Sequence, residues 1–215
     1  LRGKQRSRPI HDIVTEVRNL QWMGVKEFNL IAQDTTDYGG DLHDGTNSER
    51  LFRELAGIPG QHWFRLMYAY PLRFSDELIG IMAASHNFCR YVDIPFQHIS
   101  DRILKSMRRG SNGGYIRSLV ERLRRMIPQI AIRSTFIAGY PGETEQEFEE
   151  LAKFIQEAEL DRGGVFNFSL EDGTEAAGLP GQLPEKIKED RRRHLMKIQQ
   201  DVSLKKNRQK VGQEI

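Results

Sequence analysis

The stretch Ile130-Ala131-Ile132-Arg133-Ser134-Thr135-Phe136-Ile137, then Ala138-Gly139-Tyr140-Pro141-Gly142-Glu143-Thr144 and Glu145-Gln146-Glu147-Phe148, decides the fold class. Its first eight residues, rich in apolar and β-branched side chains, read as the strongest strand of the chain. The Gly-Tyr-Pro-Gly run turns the backbone. Thr144 with Glu147 three residues later is a capping box, which places a helix over Phe148–Ala158. Strand, short turn and amphipathic helix make one βα unit.

Working outward, the same unit recurs. Upstream, strands are expected at Phe28–Ala32, Phe64–Ala69 and Tyr91–Ile94. Helices are expected at His11–Met23, Ser48–Ala56, Asp76–Ala84 with Ser75 as cap, after Ser100, and at Tyr115–Met126. Downstream, Val165–Phe168 reads as the last strand, and a charged closing helix carries an apolar stripe at Ile187, Leu195, Ile198 and Val202. Five strands separated by helices predict a parallel α/β sheet with right-handed crossovers. A closed barrel of this class takes eight strands and about 250 residues, so an open, partial (β/α) barrel is expected. The core is placed at 1–183 and the basic closing helix at 184–215.

Composition narrows the function classes. The chain has 215 residues, 38% hydrophobic and 29% charged, in the range of a folded globular protein. It has no signal peptide and no apolar run near the roughly 20 residues of a membrane helix. It opens Leu1-Arg2-Gly3-Lys4 without an initiator Met and reads as the inside of a longer protein. The single cysteine, Cys89, excludes a disulfide framework and an all-cysteine metal site within the chain, and fits a reducing, cytoplasmic setting. Cys89 reads as a packing residue ahead of a reactive thiol. The net charge of +2 hides a basic tail: Glu185–Lys210 holds ten Lys or Arg and four Asp or Glu. Such a tail fits contact with RNA or a ribonucleoprotein, or a solvated helix face; charge alone favours the solvated face.

In parallel α/β folds, ligands bind outside the carboxyl ends of the strands. Those ends carry Gln33-Asp34-Thr35-Thr36, Tyr70-Pro71, Pro95-Phe96-Gln97-His98-Ile99-Ser100, Gly139–Thr144, and Ser169-Leu170-Glu171-Asp172-Gly173-Thr174. Each has two readings. Asp34 binds a ligand amine or caps the next turn. His98 contacts a ligand or bonds a neighbouring loop. Gly139 and Gly142 let a flat ligand approach the backbone or serve as turn glycines. Glu143 is expected to interact mainly with the first turn of its own helix. Arg133 alternates with apolar neighbours and points to the barrel interior or the helix layer; a ligand carboxylate is a suitable partner. P-loop, His-Glu-x-x-His and Gly-x-Ser-x-Gly signatures are absent.

Arg6-Ser7-Arg8-Pro9-Ile10, Leu30–Thr36, Asp93–Leu104, Phe136–Thr144 and Glu171–Ala176 together resemble the methylthiotransferases of the radical S-adenosylmethionine superfamily. The matches run in order over nearly the whole chain. Gln33–Thr36 and Gln97–Asp101 are similar to the branch that modifies an aspartate of a small-subunit ribosomal protein, more than to the tRNA-modifying branch. The resemblance implies a partial (β/α)6 barrel that inserts a methylthio group at an unactivated C–H bond. One S-adenosylmethionine is cleaved reductively on a 4Fe-4S cluster to a 5′-deoxyadenosyl radical, and another donates the methyl group. It also implies an N-terminal domain with a second cluster, a C-terminal TRAM domain and a ribosomal partner.

Carried over by position, Gln33 and Asp34 would bind the amino group of S-adenosylmethionine, and Gln97 and His98 the ribose and methionyl part. Arg133 would take the carboxylate, and Ile137, Gly139 and Gly142 would lie beside the adenine. The family's Cys-x-x-x-Cys-x-x-Cys precedes the Arg-Ser-Arg-Pro-Ile segment. First strand, cluster loop and both flanking domains are therefore expected to be missing here, so this piece holds no metal and is inactive alone. The rivals are the tRNA-modifying branch, a metal-independent barrel lyase or hydrolase using Asp34, His98 and Glu143, and a non-catalytic fragment.

Overall fold

The computed structural model describes residues 3–213. Strands β1 (Glu27–Leu30), β2 (Trp63–Leu66), β3 (Phe88–Asp93), β4 (Ala131–Ala138) and β5 (Arg162–Asn167) follow chain order in one open sheet. The β1–β2, β2–β3 and β4–β5 pairings are all parallel. Helices α1 (Ile10–Trp22), α2 (Ser48–Ala56), α3 (Asp76–Ala84), α4 (Asp101–Ser106), α5 (Gly113–Met126), α6 (Glu145–Ala158) and α7 (Glu185–Lys210) separate and follow the strands. The expected open parallel α/β architecture is what forms. The chain divides into two compact units: residues up to Ile94 with Glu121–Ile130, and Pro95–Val120 with residues from Ala131 onward.

In the first unit, Phe28 and Phe64 stand in register on β1 and β2. Their rings lie 5.5 Å apart, and Phe88 continues the row at 5.3 Å from Phe64. Phe52 of α2 packs on Phe88 at 5.0 Å, and Leu55, Leu78 and Ile79 of α2 and α3 are fully buried as well; each such side chain is worth about 1.5–3 kcal/mol of burial. Side-chain caps fix both helix starts: Asn47 accepts from Arg50 N–H and Ser75 from Leu78 N–H. The strand expected to reach Ala69 stops at Leu66. Met67 still donates to Leu30 O, but Tyr68 turns into the left-handed region at φ 56°. Cys89, on β3, is partly buried, and burial pushes its thiol upward, as a packing residue rather than a reactive one.

In the second unit, β4 buries Ile132, Ser134, Phe136 and Ala138 and turns Arg133, Thr135 and Ile137 to the more open face. Phe96, Phe136 and Phe154 form the centre, with ring separations of 6.2–6.4 Å. The last strand begins at Arg162, earlier than expected, because Gly163 and Gly164 are strand and not punctuation. A Cβ at Gly163 would lie 2.5 Å from Gln199 Oε1 of α7.

The closing helix α7 packs in this unit, and its 26 residues span about 39 Å at helical rise. Its inward stripe is Lys188, Arg191, Leu195, Gln199 and Val202. The expected stripe is corrected at Ile187, which is exposed. The polar members are buried with partners: Lys188 Nζ donates to Phe168 O (3.1 Å) and Gln199 Nε2 to Leu160 O (2.9 Å).

Candidate functional site

In the first unit, the segment after β1 is tied to the end of β2. Thr35 N–H donates to Tyr68 O (3.2 Å) and its hydroxyl to Met67 O (2.9 Å). Asp34 caps the 3-10 turn Thr35–Asp37, accepting from Thr36 N–H at 3.0 Å and from the Thr36 hydroxyl. Its second oxygen accepts from Arg73 at 2.7 Å. Of its two readings, capping is realised, and a ligand amine would compete with Arg73. Gln33 is exposed. The Arg6–Ile10 segment lies on the same loop: Ser7 N–H donates to Asp41 (2.8 Å) and Gly39 N–H to Ser7 Oγ (2.9 Å). A groove of about 790 Å³ runs beside β1 and α1, lined by Ile13, Val17 and Leu20 as well as Gln33 and Asp34.

In the second unit, Gln97 sits at φ 71° and bridges β4, its N–H donating to Thr135 O (2.9 Å) and its carbonyl accepting from Ile137 N–H (2.8 Å). His98 Nδ1 accepts from Ser100 N–H at 3.0 Å. Ser100 in turn caps α4. The loop after β4 places Gly139 and Gly142 in left-handed conformations, φ 75° and 72°. What approaches these glycines is the chain itself. A Cβ on Gly139 would run into the stem of Lys188, whose Cα would be 3.2 Å away. Gly142 N–H donates to Gly181 O (2.8 Å) and its carbonyl accepts from Arg102 (2.7 Å). Ile137 packs against a cluster of Ile103, Tyr140 and Phe168.

Glu143 corrects an expectation. It does not serve mainly its own helix. Its Oε2 accepts from Gly139 N–H (2.9 Å) and Tyr140 N–H (3.4 Å), and its Oε1 from Arg191 of α7 (2.7 Å). His98 Nε2 faces the same Oε2 at 3.6 Å, and both side chains are 0% exposed. Such burial removes them as acid and base for a substrate, which disfavours the lyase or hydrolase rival. Arg133 is exposed. It lies four residues before Ile137, about 13 Å along a parallel strand, and opens on a shallow recess with Arg162, Gln199, Ser203 and Asn207. Sequence reading missed Arg191 and Lys188 altogether. Their signal was weak: two cations three apart on a helix that is charged all round.

Glu147 is a second anchor. Thr144 and Glu147 make the expected capping box. Glu147 also accepts from Ser100 Oγ (2.8 Å) and Arg102 Nε (2.8 Å). Burial opposes its ionisation, but the bonds from Arg102, Thr144 and Ser100 win and draw the carboxyl down to about 2. A carboxyl depressed in the folded state adds stability that is complete above its ordinary range and lost as pH falls toward its folded value. Glu147→Gln is therefore expected to cost on the order of 2–3 kcal/mol at neutral pH, and much less near pH 2. Urea unfolding of both proteins across that range checks it; a constant difference would show that charge is not the source.

Among the described residues, no group of three or more His, Cys, Asp or Glu is arranged to hold a metal ion. With one cysteine, the residues present do not fit a 4Fe-4S cluster. At the end of β4, Ile137 is half-buried beside backbone turned by Gly139 and Gly142.

The sequence pattern of the Radical SAM superfamily matches residues 1–155. The chain is 50% identical over 212 residues to "Ribosomal protein uS12 methylthiotransferase RimO" of Pelobacter propionicus, covering 99% of this chain and 47% of that protein. It is likewise 50% identical over 214 residues to the protein of that name from Geobacter sulfurreducens, covering 100% and 48%. The chain thus spans about half the length of the curated relatives it matches. Among solved structures, it resembles the radical S-adenosylmethionine methyltransferase TsrM from Kitasatospora setae, with cobalamin and a [4Fe-4S] cluster bound. That match has TM-score 0.60 and 20% identity, over 74% of this chain and 29% of that one. Escherichia coli coproporphyrinogen III oxidase (HemN), described as a radical SAM enzyme, matches at TM-score 0.57 and 16% identity, over 71% and 36%. At these identities, both structures speak to the fold. The match over residues 1–155, together with the open parallel sheet, makes this chain a member of the radical SAM superfamily.

Proposed function

We propose that this chain is the S-adenosylmethionine-binding core of a methylthiotransferase acting on the β-carbon of an aspartate in ribosomal protein uS12. The observation that carries the reading is identity at half of all positions, across 99–100% of the chain, to proteins named for that activity. Gln33 and Asp34 are proposed to serve the amino group, Gln97 the polar chain, and Ile137 with the Gly139–Gly142 backbone the adenine. His98 and Arg133 are less suited to direct contact, one by burial and the other by its place on the strand. When bound, S-adenosylmethionine supplies the power to break a C–H bond and the methyl group. The chain's own residues bind and orient it. Cluster ligands are proposed to lie outside these 215 residues, with the TRAM domain and the second cluster.

Much of the basic charge of α7 is paired internally: Arg191 with Glu143, Arg192 with Glu189, Lys197 with Asp201, Lys205 with Glu159 and Lys206 with Asp161. This supports a packing helix rather than an RNA-binding face, so ribosome docking is assigned to other parts of the protein. No described helix is long and apolar enough to cross a membrane, and the proposed ribosomal substrate supports a cytoplasmic setting. Reconstituted full-length enzyme should add one methylthio group to the aspartate of uS12, read by peptide mass spectrometry. Modification of tRNA adenosine instead, or turnover without iron and reductant, would overturn the proposal.

A further inference from the structure

His98 is fully buried, and its Nε2 has no hydrogen-bond partner. Because Ser100 N–H donates to Nδ1, the neutral ring carries its proton on Nε2. That N–H faces Glu143 Oε2 at 3.6 Å, just beyond hydrogen-bond length. The same oxygen accepts the amides of Gly139 and Tyr140. The other oxygen is held by Arg191, which also donates to the Glu143 carbonyl (3.0 Å) and to Glu145 (2.8 Å). One buried carboxylate therefore bonds two segments, the Gly139–Gly142 loop and α7, and faces a third, the loop after Gln97, through His98.

We propose that His98 is a positioning residue that acts through Glu143. The imidazole, the carboxylate and the Arg191 guanidinium set the Gly139–Tyr140 amides in place, and α7 is thereby part of the ligand-binding wall. The inference rests on the reading of this chain as an S-adenosylmethionine core. It replaces the expectation that His98 touches the ligand. A direct contact and a positioning role differ in how their losses combine: groups acting through one another are non-additive, and independent contacts add.

The test uses reconstituted full-length enzyme and the variants His98→Leu, Glu143→Gln and the double variant. His98→Gln, which keeps a donor at about the same reach, is the rescue. Two quantities are read: amide hydrogen exchange at Gly139 and Tyr140 without ligand, and the Kd for S-adenosylmethionine. Expected are faster exchange at those amides in both single variants and recovery in His98→Gln. Each single variant should raise Kd about tenfold, and the double should stay within about twofold of Glu143→Gln alone. Unchanged exchange in His98→Leu, or losses in Kd that multiply in the double variant, would overturn the positioning role. The exchange measurement needs no ligand, so failure of the wild-type enzyme to bind S-adenosylmethionine would refute the core reading and be distinguishable from failure of this one.

Discussion

Replacing Gly139 by valine is expected to destabilise the second unit by about 2–5 kcal/mol, the sum of left-handed strain and overpacking. The backbone there has φ 75°, and α7 lies directly over it through Lys188. A side chain must therefore either change the backbone or push the helix off β5. Gly142 is the control. It has nearly the same φ, 72°, but a Cβ would find its nearest neighbours at 3.7 Å (Arg102) and 4.0 Å (Pro180). Gly142→Val should cost only the strain, about 1–2 kcal/mol. Urea unfolding of the two variants checks the difference. Equal losses would mean that α7 does not pack on Gly139 as described.

Anaerobic reconstitution of this chain by itself is expected to leave no 4Fe-4S cluster. Cluster irons are held by cysteine thiolates. Cys89 is the sole cysteine, and burial disfavours its thiolate. Iron and sulfide analysis with electron paramagnetic resonance after reduction reads the result. Iron and sulfide at cluster stoichiometry with a normal paramagnetic signal would contradict it and show ligation by residues other than cysteine.

The fold was legible because its signals are local. Apolar strands, Ser75, Ser100 and the Thr144–Glu147 box work within a few residues of where they stand, and the βα alternation follows from them. Strand ends were less so. Tyr68 carries no mark of its left-handed backbone, and Gly163 and Gly164 look like breakers until Gln199 is seen to occupy the space of a side chain. The candidate loops were found from their places after the strands. Their partners were not, since Arg191 meets Glu143 from 48 residues away. The stripe of α7 holds at Leu195 and Val202 and fails at Ile187 for the same reason. Apolar periodicity marks only part of the inward face, because this helix also buries Lys188, Arg191 and Gln199. Polar side chains can take such positions when each finds a bond, and that is decided by the strand and loop they meet.

Hydrogen–deuterium exchange of the full-length reconstituted enzyme, with and without S-adenosylmethionine, tests the central claim most directly. The account predicts added protection at 33–38 after β1, at 97–100 after β3 and at 139–143 after β4. Protection confined to α1 around Ile13, Val17 and Leu20 or to the recess around Arg133, with these three loops unchanged, would contradict it.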